Sequence, residues 1–243
     1  MRIATPLLVG ALALLAALPA RAGGGPGPEP AAAGEAEADP CLRTAVDAIQ
    51  RRYASIRDLR ASFTQISRSV ALGMGASSVG TKAKGTVVFA KPGKMRWSYQ
   101  EPEPSLVVSD GETLWLYDPA HREAQRLGVG GGYLSGAAIQ FLLGQGGIFR
   151  DFRVRAESCS PAAAQLELIP RRAASYERLR IRADSPTGEI LETTVVDLLG
   201  NVTEVAFSDI RVNLDPAPGL FRFEPPAGVR VIDLEPGAEG GPE

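Results

Sequence analysis

Few residues of this 243-residue chain could carry covalent or proton-transfer chemistry. His121 is the sole histidine, so a multi-histidine metal site is excluded and any histidine-dependent triad would have to use that one ring. No GxSxG, HExxH, P-loop or dinucleotide-binding fingerprint occurs. The carboxylates are scattered, and Asp110 and Asp118 fall where turns are expected, which accounts for them without an acid–base role. Cys41 and Cys159 make an even pair. They read either as a disulfide tying an N-terminal helix to a distant strand or as two separate buried thiols, with a catalytic cysteine a remoter alternative. These residues point away from an enzyme. They imply no cofactor.

What the chain has in quantity is apolar alternation. Lys84 to Asp118 reads as four or five consecutive β-strands with their turns. Met95, Trp97 and Tyr99 share one face of a strand because successive side chains alternate sides. Leu106 and Val108 open the next strand, Asp110-Gly111 supplies a tight hairpin turn, and Leu114 and Leu116 return. Phe63 and Phe89 lie on flanking strands, and Phe141 falls in a short apolar helix spanning Ala137 to Leu143. Taken one at a time, such residues read as ordinary core.

The elements that must position them follow from period and punctuation. Asp39-Pro40 is a helix start, with Asp as N-cap and Pro at the first helical position. Leu42, Val46, Ile49, Tyr53 and Ile56 then recur at spacings of three and four, giving an apolar stripe that must lie on a sheet. A strand runs from Leu59 through Phe63, and Ser69 to Lys84 reads as a loop or a long hairpin end. Further strands are predicted near 121–127, 152–156, 165–170, 176–184, 190–198 and 201–212, with 220–224 and 229–234 closing the chain. The count is about ten or eleven strands and two helices, a mainly β (α+β) protein with one antiparallel sheet.

Composition bounds the compartment and the partners. Hydrophobic residues at 44% against 22% charged suffice for a core, and a formal net charge of −2 offers no basic face for nucleic acid. Residues 1–22 read as a signal peptide: Arg2, the apolar stretch Pro6 to Leu18, and Ala20-Arg21-Ala22 as a small-x-small cleavage site. Residues 23–38 are Gly-, Pro-, Ala- and Glu-rich and read as a disordered linker; residues 235–243 read as a disordered tail. The folded domain is expected over 39–234, exported to an oxidising compartment.

The run Lys91-Pro92-Gly93-x-x-Arg96-Trp97, then Pro102, then Ser109-Asp110-Gly111-x-Thr113-Leu114-Trp115-x-Tyr117-Asp118-Pro119 resembles the LolA family of periplasmic outer-membrane lipoprotein carriers. Asp58-Leu59-x-Ala61-x-Phe63-x-Gln65 upstream and Leu220-Phe221-x-Phe223-x-Pro225-Pro226-x-Gly228-Val229 downstream fit the same family in the same order. The resemblance implies an incomplete β-barrel whose concave face is covered by the N-terminal helix and the short central helix.

It further implies the periplasm as compartment, and a monomeric carrier of acylated lipoproteins that loads at an inner-membrane ABC-type release complex. Delivery to the outer membrane can involve a receptor lipoprotein of similar fold. The acyl chains would lie against Phe63, Phe89, Met95, Trp97, Tyr99, Leu106, Val108, Leu114, Leu116 and Phe141. Family members often have Arg at the position of Lys91, where it holds the helical lid to backbone carbonyls; Lys91 keeps the charge with fewer donors, and Arg96 could share the role. Met95 stands where an aromatic is frequent. A carrier of free phospholipid or glycolipid would need almost the same cavity, and a lipid-sensing interaction module a similar one.

Overall fold

The computed structural model describes residues 39–70, 80–128 and 147–234. Helix α1 spans Pro40–Ser55, and β1 to β6 follow at Asp58–Arg68, Thr81–Ala90, Lys94–Glu101, Ser105–Asp110, Thr113–Asp118 and Glu123–Gly128. The one-turn helix α2 is Ile148–Asp151. Then come β7 to β11 at Phe152–Cys159, Ala163–Pro170, Tyr176–Asp184, Ile190–Asp197 and Val202–Val212, a 3-10 turn at Pro218–Phe221, and β12 at Arg230–Leu234.

The strands form a single twelve-stranded sheet in the order β12-β6-β5-β4-β3-β2-β1-β11-β10-β9-β8-β7. Its end strands, β12 and β7, do not pair with each other, so the sheet stays open. Every neighbouring pair is antiparallel except β12 with β6, which runs parallel because the chain crosses the sheet before joining that edge. The mainly β, unclosed architecture matches the sequence reading. The strand count exceeds the ten or eleven expected.

Two local expectations need correction. The Gly- and Ser-rich stretch 69–84 is not all loop, since β2 begins at Thr81, where it can pair with Ser67. Residues 220–224 do not form a strand: Leu220 N and Arg222 N bond to Ala217 O and Gly219 O, closing a tight 3-10 turn instead. The expected central helix with Phe141, the signal peptide, the linker and the tail lie outside the described residues.

The core lies between α1 and one face of the sheet, called the inner face here. Leu42, Ala45, Val46, Ile49 and Tyr53 project from the helix, joined by Ile56 at its C-cap. They meet Leu59, Phe89, Leu166, Ile181, Ala183 and Ile190 among the strand residues of one continuous cluster. Asp39 caps α1 by accepting from the backbone N–H of Cys41 at 2.9 Å and of Leu42 at 3.4 Å.

The outer face is covered along part of its width by the segment from Asn213 to Val229, which travels from β11 to the β12 edge. Asp58 anchors its start: the carboxylate accepts from the N–H of Leu214 at 2.7 Å and of Asp215 at 3.1 Å. Phe221 is buried by the 3-10 turn, and Phe223 packs on Trp115 and Tyr117 with ring centroids 5.5 and 5.1 Å apart. The Arg122 guanidinium meets Ala227 O near the end of the crossing.

Candidate functional site

Register decides which side chains share the inner face. Phe63 stands opposite Gly85, and Phe89 opposite Met95 on one side and Leu59 on the other. Trp97 and Tyr99 follow Met95 on β3 at alternate positions. Through β3–β4 pairing, Met95 meets Ser109, Trp97 meets Val107 and Tyr99 meets Ser105. Val107 then meets Leu116, and Ser109 meets Leu114. Phe63, Phe89, Met95, Trp97, Tyr99, Leu114 and Leu116 therefore lie together on the inner face.

Leu106 and Val108 do not. Leu106 pairs with Ser98 and Tyr117, Val108 with Arg96 and Trp115, all of them outer-face positions. Val108, only 1% exposed, is sealed on the outer face, where the 3-10 turn covers β3 and β4. The inward residue of that strand is Val107, which the sequence reading passed over. Alternation shows that two sets of side chains face opposite ways, but the run Leu106-Val107-Val108 is apolar on both faces, so it cannot say which set looks inward. Pairing with Trp97 was the missing signal.

Arg96 is corrected for the same reason. It projects outward and donates to Leu220 O at 3.1 Å, holding the crossing segment rather than the helix. Lys91 lies at the other junction. Its ammonium donates to the backbone carbonyl of Tyr53 near the C-terminus of α1, and its own N–H bonds to Arg57 O at 2.9 Å. Burial lowers the Lys91 pKa, a cost the carbonyl partly offsets.

The rings on this face form one contact group, edge-to-face around Phe63 and between Phe89 and Trp97. Phe63 stands 4.8 Å from Trp97 and 5.1 Å from Tyr99, and Trp97 stands 5.7 Å from Phe89 and 6.3 Å from Phe207. Burial raises the Tyr99 pKa, so its phenol stays protonated and donates to Gln65 Oε1 at 3.1 Å. The apolar surface continues through Val205 on β11, Leu179 and Ile181 on β9, Leu166 and Leu168 on β8 and Val154 on β7. Among the described residues, the inward positions in the middle of these strands carry no charged side chain.

Helix α1 is tied to this face along its length. Cys41 and Cys159 are joined by a disulfide with Cα atoms 6.1 Å apart, linking its first turn to the end of β7. Gln50 Oε1 accepts from Ile148 N at 2.9 Å. Arg52 pairs with Glu189, and Tyr53, whose pKa burial pushes up to about 12, accepts from Ile190 N at 3.3 Å. Gly188 (φ +69°) lies so close to the helix that a Cβ there would stand 2.3 Å from Ala48 O.

Except for the Gln50–Ile148 bond, which lies just before β7 begins, these ties lie at one end of the sheet, where β1 begins and β7 ends. On β3 and β10 exposure of the inner face rises toward the other end, whereas on β9 Tyr176, Leu179, Ile181 and Ala183 are all buried. Along β3, Met95 is buried while Trp97 and Tyr99 are half-buried; along β10, Ile190 is buried while Thr193 and Val195 are half-buried. Among the described residues the arrangement offers an uncharged apolar face, covered by α1 at one end and less buried along β3 and β10 toward the other.

Residues 54–224 match the family model described as outer membrane lipoprotein carrier protein LolA. An outer-membrane lipoprotein carrier protein of Nitrosomonas europaea is 37% identical over 158 residues, covering 62% of this chain and 73% of that protein. A protein of the same name from Cupriavidus taiwanensis is 31% identical over 195 residues, covering 79% of this chain and 90% of its own length. Among solved structures, a LolA superfamily protein from Nitrosomonas europaea aligns with a TM-score of 0.40 at 15% identity, over 73% of this chain and 97% of that one. With the family model covering most of the described fold, the chain belongs to the LolA family of outer membrane lipoprotein carrier proteins.

Proposed function

We propose that the protein is a non-enzymatic carrier that shelters lipoprotein acyl chains on its inner face and takes them from the inner to the outer membrane. One observation carries this reading: the inner face is uncharged and apolar across both halves of an open sheet, yet Trp97, Tyr99 and Val195 are only partly buried. Each acyl methylene left in water costs about 0.8 kcal/mol, so a lipidated protein needs such a surface to cross an aqueous space. Phe63, Phe89, Met95, Trp97, Tyr99, Leu114 and Leu116, with Val107, would line it. The names of the relatives favour lipoprotein as the cargo.

The folded carrier domain is residues 39–234, exported by a signal peptide at 1–22 and tethered by 23–38. The Cys41–Cys159 disulfide suits an oxidising compartment such as the periplasm. The carrier acts as a monomer, loads at an inner-membrane ABC-type release complex and delivers to the outer membrane, where a receptor lipoprotein can accept the cargo. Release must run downhill, and an adaptable lining of aliphatic and thioether groups such as Met95 favours that over tight complementarity.

Photo-crosslinking in cells tests the reading, with a photoreactive residue at Trp97 and a control at Arg153 on the outer face of β7. Adducts containing lipoprotein peptides at position 97 alone are expected. Adducts containing lipid alone would assign free phospholipid or glycolipid as cargo. Absence of any specific adduct would make the inner face a closed core.

A further inference from the structure

The turn between β10 and β11 carries two leucines that the fold leaves in water. Leu198 is 55% exposed and Leu199 80%, and Val70, 48% exposed, lies beside them at the end of β1. Elsewhere among the described residues, exposed large apolar side chains are isolated at Leu214 and Val231. A cluster of three is a different matter, because such surface normally has a partner.

The turn is built to hold these side chains outward. Asp197 is buried, and its Oδ1 accepts from the N–H of Leu199 at 2.9 Å and of Asn201 at 2.8 Å, while Oδ2 accepts from Asn201 Nδ2 at 2.8 Å. Gly200 N closes onto Asp197 O at 3.0 Å. Asn201 Oδ1 in turn accepts from Val70 N at 3.0 Å, fixing Val70 to the same tip. A carboxylate that spends its acceptors on the turn's own backbone leaves an apolar prominence with little freedom to fold back.

Topology sets what surrounds the tip. Arg68 pairs with Val202 and Asp197 with Tyr176, so the β1–β2 ends and the β8–β9 turn flank it. Those flanks carry Arg68, Lys82, Arg171, Arg172 and Arg178 against Glu177 and Glu204. Glu204 pairs with Arg68 and Glu177 with Arg178. The result is a convex apolar point in a net cationic collar, the arrangement that suits an anionic bilayer surface: leucines enter the acyl boundary while Lys and Arg meet headgroup phosphates. A protein partner would need a recess to receive so convex a feature; a bilayer supplies its own.

We propose that Leu198, Leu199 and Val70 form a membrane-docking tip for anionic phospholipid. The tip lies at the end of the sheet opposite the start of β1, toward which the inner face of β10 becomes less buried. Docked there, acyl chains could pass between inner face and bilayer with little exposure to water, a consequence that rests on the carrier reading although the docking itself does not.

Cosedimentation of the cargo-free protein with vesicles of phosphatidylglycerol and phosphatidylethanolamine tests this independently of cargo. Wild-type protein should sediment with these vesicles and not with phosphatidylcholine vesicles. Leu198→Asp/Leu199→Asp, at exposed positions, should keep its circular dichroism and lose vesicle binding. Lys82→Glu/Arg172→Glu should weaken binding by about thirtyfold or more and flatten its salt dependence. No wild-type binding, or undiminished binding by the leucine variant, overturns the proposal. If wild-type protein ignores vesicles while the leucine variant fails to deliver cargo in cells, the tip contacts a protein and the membrane assignment is equally overturned. Normal acyl-chain crosslinking in the leucine variant would keep the carrier reading intact whichever result is obtained.

Discussion

The ammonium of Lys91, at the turn between β2 and β3, donates to the backbone carbonyl of Tyr53 in the last turn of α1. One cation thus joins the helix that covers the inner face to the strand pair that carries Phe89 and Met95. Lys91→Met removes this donor while keeping the aliphatic stem. It should lower stability by about 1–2 kcal/mol, the range for a hydrogen bond to a charged group discounted for partial exposure, in urea unfolding. Lys91→Arg should hold the helix at least as well, because its fork offers more donors.

The disulfide secures the opposite end of the helix. It closes a sequence separation of 118 residues, so Cys41→Ser/Cys159→Ser should cost about 4–5 kcal/mol if chain entropy alone operates. Equilibrium unfolding under oxidising and reducing conditions checks this. An unchanged midpoint on reduction would contradict it.

Trp97 and Val108 separate binding from packing. With the photoreactive residue moved to Met95, Trp97→Glu on the half-buried inner face should abolish acyl-chain crosslinking while leaving a folded protein by circular dichroism. Val108→Ala should leave crosslinking intact but cost roughly 1–3 kcal/mol, since its methyls are enclosed on the outer face. The reverse outcome would exchange the roles assigned to the two faces.

Gly188→Ala tests how closely the β9–β10 turn approaches α1. Positive φ and a Cβ position 2.3 Å from Ala48 O leave no accommodation without moving the helix. A loss of about 1–3 kcal/mol is expected, with crosslinking altered if the helix shifts.

The sole histidine gives a pH signature. His121 Nδ1 stands 2.7 Å from Asp118 Oδ2, and that hydrogen bond, with the carboxylate's charge, raises the His121 pKa above 6.5. Its contribution to stability is fully present below the unfolded value and is lost as pH rises through the folded one. Burial of Asp118 pushes its carboxyl up, but bonds from the His121 ring and backbone prevail and hold it below 3.8. That contribution is present above the unfolded value and lost as pH falls through the folded one. An NMR titration of His121 should read the raised value, and Asp118→Asn should return it toward 6.5.

Much of this fold was legible in local pattern. The stripe from Leu42 to Ile56 marked α1, and Asp39-Pro40 marked its start, because caps and apolar period act within a few residues. Met95, Trp97 and Tyr99 were placed on one face correctly for the same reason: alternation is a property of a single strand. Leu106, Val108 and Arg96 were misassigned because each question concerned a second strand. Arg96 also depended on Leu220, over a hundred residues later in the chain, which no local pattern relates to it.

By itself, then, the sequence determined the element types, the mainly β class, the absence of familiar catalytic motifs and the family to which the chain is similar. These rest on backbone sterics, apolar periodicity and motif order, all of which are written residue by residue. Only the tertiary structure decided that Val107 and not Val108 looks inward, that Arg96 holds the outer crossing segment while Lys91 holds the helix, and that Leu198 and Leu199 stand exposed at the end of the sheet opposite the start of β1. Each of these depends on strand register and on the path of the chain across the sheet, where contacts between residues far apart in sequence set the outcome.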